Sequence, residues 1–234
     1  MRTKNELYQE ALRTVALRRQ TARALAQDAQ AQAEAAIPAL RHAEEEVRVR
    51  GIRCALAGAA GKDRTEAAAA LADARQKLTA LLAESGAWLS MQAFAVEDNT
   101  YPSPVQQAKH LQICNGTDRT YRLAKKHGVK LAWGTDLLFD PANTKNQNHG
   151  IVKLQKWFTN FEILRMVTCD NARLLALSGA RNPYPGNLGV IEEGALADLL
   201  VIEGNPLERI EVLENPHDNL RVIVKDGVVC KNTL

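Results

Sequence analysis

Asp136 is the residue of this sequence best placed to do chemistry. It follows a short apolar run, Val129 to Trp133, that reads as a buried strand. Gly134 then lets the backbone turn, and Thr135 and Asp136 enter a loop. In α/β proteins reacting groups collect at the carboxyl ends of parallel strands. A carboxylate there can take a proton and hand it on; the plain alternative is a solvated turn aspartate. The other residues able to ligate or transfer protons show no local pattern. The five histidines are His42, His110, His127, His149 and His217, with no His-x-His pair. The four cysteines, Cys54, Cys114, Cys169 and Cys230, have no CxxC spacing and read as reduced thiols of a cytoplasmic protein.

The elements that must position Asp136 can be read around it. Residues 87–94 predict a strand, and Ala95 to Pro104 a loop. Val105 to His127 predicts a helix broken near Asn115-Gly116, and Gly128 is its stop. Strand, crossover and strand make a βαβ unit with a parallel sheet. Pro141 to Gly150 reads as a polar loop, followed by a helix through Lys156. Thr159 and Glu162 form a capping box that opens a helix carrying Ile163, Met166 and Val167, and Asn171 to Leu177 is again helical. The tail is rich in turns over 188–194, with a strand over 197–202. Residues 221–225 and 228–230 flank Asp226-Gly227, a two-residue hairpin signal.

The first third is different. Residues 3–35 predict one long alanine-rich helix, capped by Thr3 and Glu6, with Leu7, Ala11, Val15, Ala22 and Leu25 near one face. Pro38 ends it or starts the next, which runs to Gly58 with Leu40, Val47 and Cys54 seven residues apart. Asp63 and Glu66 cap a third helix to about Ser85, and Gly86 stops it. Three such helices make an antiparallel hairpin or bundle. Gly58 to Asp63 is no phosphate loop: the pattern needs Gly at 56 and Ser or Thr at 63, where Leu and Asp stand. The arginines 13, 18, 19 and 23 form a basic helix face of the solvated kind.

With 234 residues, 46% hydrophobic and 24% charged, the chain reads as soluble and globular. A net charge of +3, all of it within residues 1–86, is too small to argue for nucleic acid or an anionic membrane. No apolar stretch approaches a membrane span, and the polar start Met1-Arg2-Thr3-Lys4-Asn5 predicts no signal peptide.

Residues 84–231 resemble the C-terminal part of metal-dependent amidohydrolases of the imidazolonepropionase-like and Xaa-Pro-dipeptidase-like branch. Five motifs carry the resemblance in order: Trp88 to Gln92, Leu131 to Asp136, Thr168 to Ala176, Leu188 to Leu199, and Asn205-Pro206-Leu207 with Val224 to Gly227. The first two resemble the seventh and eighth strands of a (β/α)₈ barrel. The resemblance implies a divalent metal, often zinc, at the strand ends. It also implies that Asp136 touches that metal or its water and acts as general base, then passes the proton to the leaving nitrogen. His149, in the loop behind, either faces a small-molecule substrate or is a solvated loop histidine. The family's remaining ligands, a His-x-His, a Lys or acid and two further histidines, find no counterpart among these residues.

Residues 1–83 resemble, through Ala36 to Leu40, Glu44-Glu45-Glu46 and Gly51 to Leu56, the N-terminal helices of bacterial and phage replicative-helicase loaders, without the ATP-binding domain of those proteins. The expected fold is therefore mixed α/β. An α-helical hairpin (1–86) joins the last two strands of a partial barrel (87–187) and a small β-tail (188–234). The expected function is a metal-dependent C–N hydrolase acting on dipeptide or non-peptide bonds, inactive as this truncated chain. The alternative is a helical interaction module with a vestigial C-terminal half. Open strand edges would invite self-association or a complementing chain.

Overall fold

The structure is a computed structural model. It describes residues 4–60, 64–98, 100–137, 141–184 and 186–234, apart from several side chains before residue 27 and that of residue 143. The chain divides into two compact units, one of residues 1–86 with 174–183, the other of residues 87–173 with 184–234.

In the first unit α1 spans Lys4–Ala59 and α2 spans Thr65–Glu84. Two helices stand where three were expected, because α1 runs through Pro38. An interior proline costs about 3 kcal/mol by removing one backbone bond and crowding the preceding turn. The alanine-rich flanks and a buried seam beyond it offset that cost. Of the seven-residue pattern Leu40, Val47 and Cys54, Cys54 is buried and the other two partly so; Ala43 of α1 is buried as well, as are Leu71 and Ala74 of α2. Arg50 donates to the Ala70 carbonyl at 2.8 Å and pairs with Asp73 at 3.6 Å, while Gly58 lies against Arg64 near the connection. Contacts that close toward the connection define an antiparallel hairpin. The Thr3–Glu6 and Asp63–Glu66 caps, and the apolar face from Leu7 to Leu25, lie outside the described residues and side chains.

In the second unit β1 (Trp88–Met91) and β2 (Lys130–Trp133) pair in parallel, Trp88 opposite Lys130 and Met91 opposite Trp133. Their crossover is α3, Pro104–His127. It is unbroken at Gly116, where nothing lies within 4 Å and the Thr120 hydroxyl donates to the Gly116 carbonyl at 2.8 Å. One glycine in 24 residues costs only about 1 kcal/mol. Gly128, at φ 69°, ends the helix as its sequence position predicts. Among the described residues this parallel sheet has two strands.

After β2 come a 3₁₀ turn (Pro141–Asn146), α4 (Gln147–Val152), a second 3₁₀ turn (Lys153–Lys156) and α5 (Asn160–Arg165). Helix thus begins inside the expected polar loop. The capping box of α5 is complete: Thr159 N–H donates to Glu162 at 2.8 Å, and Glu162 N–H to the Thr159 hydroxyl at 3.3 Å. A π-helical turn, Met166–Asp170, leads into α6, Asn171–Ala176. In the tail, β3 (Leu199–Ile202), the short α7 (Pro216–Asn219), β4 (Leu220–Lys225) and β5 (Val228–Asn232) give an antiparallel sheet in the order β3-β4-β5. Asp226 and Gly227 both have positive φ, 50° and 77°, as a two-residue hairpin of the favoured twist requires.

The core joins these pieces. Tyr121, Leu154, Ile163 and Ile210 are fully buried, with Phe158, Met166, Val212 and Leu213 around them. No helix among the described residues is long and apolar enough to cross a membrane. Beside the core, Asp118 accepts from the Trp157 indole N–H at 3.0 Å and from Arg122 at 2.9 Å. These bonds, Arg122's foremost and Trp157's next, hold its carboxyl below the ordinary value of 3.8 against a smaller effect of burial. A depressed carboxylate contributes stability above its unfolded pKa and loses it as pH falls through the folded one. Asp118→Ala therefore destabilises by about 1 kcal/mol at neutral pH, discounted for its partial exposure. The difference from the parent closes in urea unfolding below pH 3.8. A gap that persists at low pH would contradict this assignment.

Candidate functional site

The chain leaves β2 through Gly134 and Thr135 and reaches Asp136 at φ 49°. Among the described residues only Asp136 and Asp226 are non-glycines with positive φ. Asp226 has the hairpin to explain it. Asp136 has no such turn, and a left-handed residue at a strand end is the kind of local strain that marks functional positions. Asp136 is exposed and lines a cleft of about 840 Å³.

Four stretches supply the acidic and basic side chains of the cleft. Glu97 and Asp98 come from the 3₁₀ turn after β1 (Val96–Asp98), Asp136 from the end of β2, Lys145, His149 and Lys153 from the segment behind it, and Glu214 from the tail. Phe94, Trp133 and Leu137 give it apolar walls. Gly150 fits where a side chain would not, since a Cβ there would lie 2.9 Å from the Trp133 ring. Asp98 is committed twice, to Lys153 at 2.5 Å and to the Ala95 N–H at 2.8 Å. With side chains only 14% and 20% exposed, the Asp98–Lys153 pair ties the turn after β1 to the turn after α4. Glu214 is committed to His149 at 2.6 Å. Among the described residues no hydrogen bond or ion pair engages Asp136, Glu97 or Lys145.

Both residues singled out in the sequence, Asp136 and His149, thus open on one cleft. His149 sits on α4 rather than in a loop, and its partner lies 65 residues away. Glu97 and Asp98 escaped the sequence reading although the strand-end argument applied to Asp136 applies equally behind β1. Lys153 and Glu214 had no local signal, because their roles come from partners distant in the chain.

A divalent metal would need several of these donors to converge. A catalytic zinc takes three protein ligands. Among the described residues no three His, Cys, Asp or Glu converge to hold one. The orphaned buried polar atom of the cleft wall is the Trp133 indole nitrogen, a donor that cannot ligate. These residues by themselves do not fit a metal centre.

The family model described as the amidohydrolase family matches residues 9–229. The chain belongs to the amidohydrolase family. The match begins within α1, so it takes in the helical hairpin as well as the motif-bearing half. Solved amidohydrolase folds agree. A crystal structure of an amidohydrolase is 24% identical with a TM-score of 0.56, over 72% of this chain and 43% of that one. A prolidase complexed with N-methylphosphonate-L-proline is 24% identical with a TM-score of 0.55, over 71% and 43%. The ochratoxinase of A. niger is 24% identical with a TM-score of 0.55, over 67% and 34%. This amidohydrolase-family chain therefore spans less than half the length of the solved proteins it resembles. No curated protein matches it.

Proposed function

We propose that this chain carries the Asp136-bearing end of a C–N hydrolase whose substrates are small amides or dipeptides, and that these residues alone do not complete a working centre. The observation that carries the reading is Asp136 itself, held left-handed at the carboxyl end of β2 and open to the cleft. In the reaction its carboxylate takes a proton from water as the oxygen adds to the carbonyl carbon. It returns that proton to the nitrogen as the C–N bond breaks. The uncommitted Glu97 and Lys145 suit the charged ends of a dipeptide, and Phe94, Trp133 and Leu137 suit an apolar body between them.

The divalent metal on which this family generally depends, zinc by the sequence resemblance, would need donors beyond the residues described. In this reading β1 and β2 are the last two strands of the barrel, and further strands from another chain would stand beside them and bring those donors.

The test is hydrolysis of Xaa-Pro dipeptides by the purified chain, alone and mixed with a fragment carrying the preceding strands of an amidohydrolase. The expected result is no turnover alone and turnover in the mixture, which Asp136→Asn lowers by about 100-fold or more. Turnover by the chain alone that Asp136→Asn abolishes would overturn the incompleteness. Turnover indifferent to Asp136→Asn would overturn the residue's role.

A further inference from the structure

We infer that Asn171 is a positioning residue for Asp136, acting as a side-chain substitute for a neighbouring strand. The Trp133 N–H donates to Asn171 Oδ1 at 2.9 Å, and Asn171 Nδ2 donates to the Trp133 carbonyl at 2.9 Å. The two residues are 38 apart in the chain. In a parallel strand the N–H and C=O of one residue point to the same side, the side on which a neighbouring strand would bond. One carboxamide, with a donor and an acceptor in a fixed plane, meets both groups at once. At its carboxyl end, then, β2 has no open backbone edge: Asn171 occupies it. An open strand edge was expected here, and Asn171 closes it at the one residue from which the Gly134–Asp136 turn departs.

Asn171 is itself held from several directions. It opens α6 directly after the π-helical turn Met166–Asp170, whose first residue, Met166, is buried in the core. The last residue of that turn, Asp170, is only 8% exposed and pairs with Arg165 at 2.9 Å and Arg173 at 3.1 Å. Gly189 packs its backbone against the same turn: a Cβ there would meet the Thr168 carbonyl at 2.7 Å and Cys169 Cα at 2.8 Å. A π-turn inserts one residue into the helical winding and so re-aims the side chains of the next turn. Here the re-aimed residue is Asn171, directed at the strand end. The anchored Trp133 backbone gives the next residues a fixed origin, from which Asp136 is kept at φ 49°. The functional importance of this placement rests on the reading of Asp136 given above, but the placement can be measured without turnover.

The experiment uses the full chain, isotopically labelled, with amide exchange at Trp133 and the carboxyl ¹³C resonance of Asp136 as readouts. Asn171→Ala is compared with Ile163→Val, a core change that destabilises while leaving both Trp133–Asn171 hydrogen-bonding groups in place. In Asn171→Ala the Trp133 amide exchanges about tenfold faster than in the control, and the Asp136 resonance moves. In Asn171→Asp the carboxylate can still accept from the Trp133 N–H at neutral pH but can no longer donate to the Trp133 carbonyl, so the Trp133 amide stays protected while the Asp136 resonance moves. The resonance returns toward its parent position at acid pH, where the introduced carboxyl is protonated and can again donate and accept. Exchange in Asn171→Ala no faster than in Ile163→Val would overturn the proposal. An Asp136 resonance that stays put while Trp133 is released would reduce Asn171 to an edge cap and overturn its positioning role. If the hydrolysis assay fails while these shifts occur, the proposed function falls and the positioning stands.

Discussion

Gly189→Ala lowers the stability of the unit formed by residues 87–173 and 184–234 by about 3 kcal/mol or more. Two costs combine. At φ 69° any side chain pays about 1–2 kcal/mol of left-handed strain. The new Cβ would also lie 2.7 Å from the carbonyl carbon and oxygen of Thr168. Those are backbone atoms of the π-turn, so no rotamer change relieves the clash, and either Gly189 or the turn must move. Gly227→Ala is the internal comparison. Its φ is 77°, but nothing lies within 4 Å, so only the strain remains. In thermal unfolding Gly189→Ala should lower Tm by roughly 6–12 °C and Gly227→Ala by a few degrees. Equal losses at the two positions would mean that the tail does not press on the π-turn as described.

Tyr121→Ala comes next at about 3–5 kcal/mol, the range for removing a buried aromatic ring. Tyr121 is fully buried. Its ring meets Phe158 edge-on at 5.3 Å and Trp157 at 4.8 Å, so truncation leaves a cavity between α3 and the segment around residue 157. Its hydroxyl donates to the Met91 carbonyl at 3.3 Å, at the last residue of β1. Burial pushes the phenol pKa well above its ordinary 10, so the hydroxyl remains a donor through the working range. Tyr121→Phe keeps the ring and loses that bond, costing about 1 kcal/mol. Urea unfolding of the two variants separates packing from hydrogen bonding. Similar losses in both would assign the importance of Tyr121 to its hydroxyl and contradict the packing account.

What could be read from the sequence was what is decided locally. Asp226-Gly227 specified its hairpin because two adjacent positive φ angles need such residues. Thr159 and Glu162 specified a cap because both partners lie within one turn, and Gly128 a stop because it tolerates φ 69°. Pro38 and Gly116 misled because each is a local penalty of a few kcal/mol or less that a packed helix can absorb. The candidate site was legible only in Asp136 and His149. Asp136 stood out by following a strand, whereas Lys153–Asp98, His149–Glu214 and Asn171–Trp133 are pairings across tens of residues that no local spacing announces. The family resemblance read from residue 84 onward proved sound, and the family match reaches further, to residue 9.

We propose that the carboxylate at the end of β2 belongs to an amidohydrolase centre whose metal needs donors beyond the described residues. Elemental analysis of the purified full chain, after loading with zinc and removal of free ion, tests it most directly. The expected result is no stoichiometric metal in the parent chain and no difference in Asp136→Asn. One tightly held ion per chain, lost on Asp136→Asn, would contradict it.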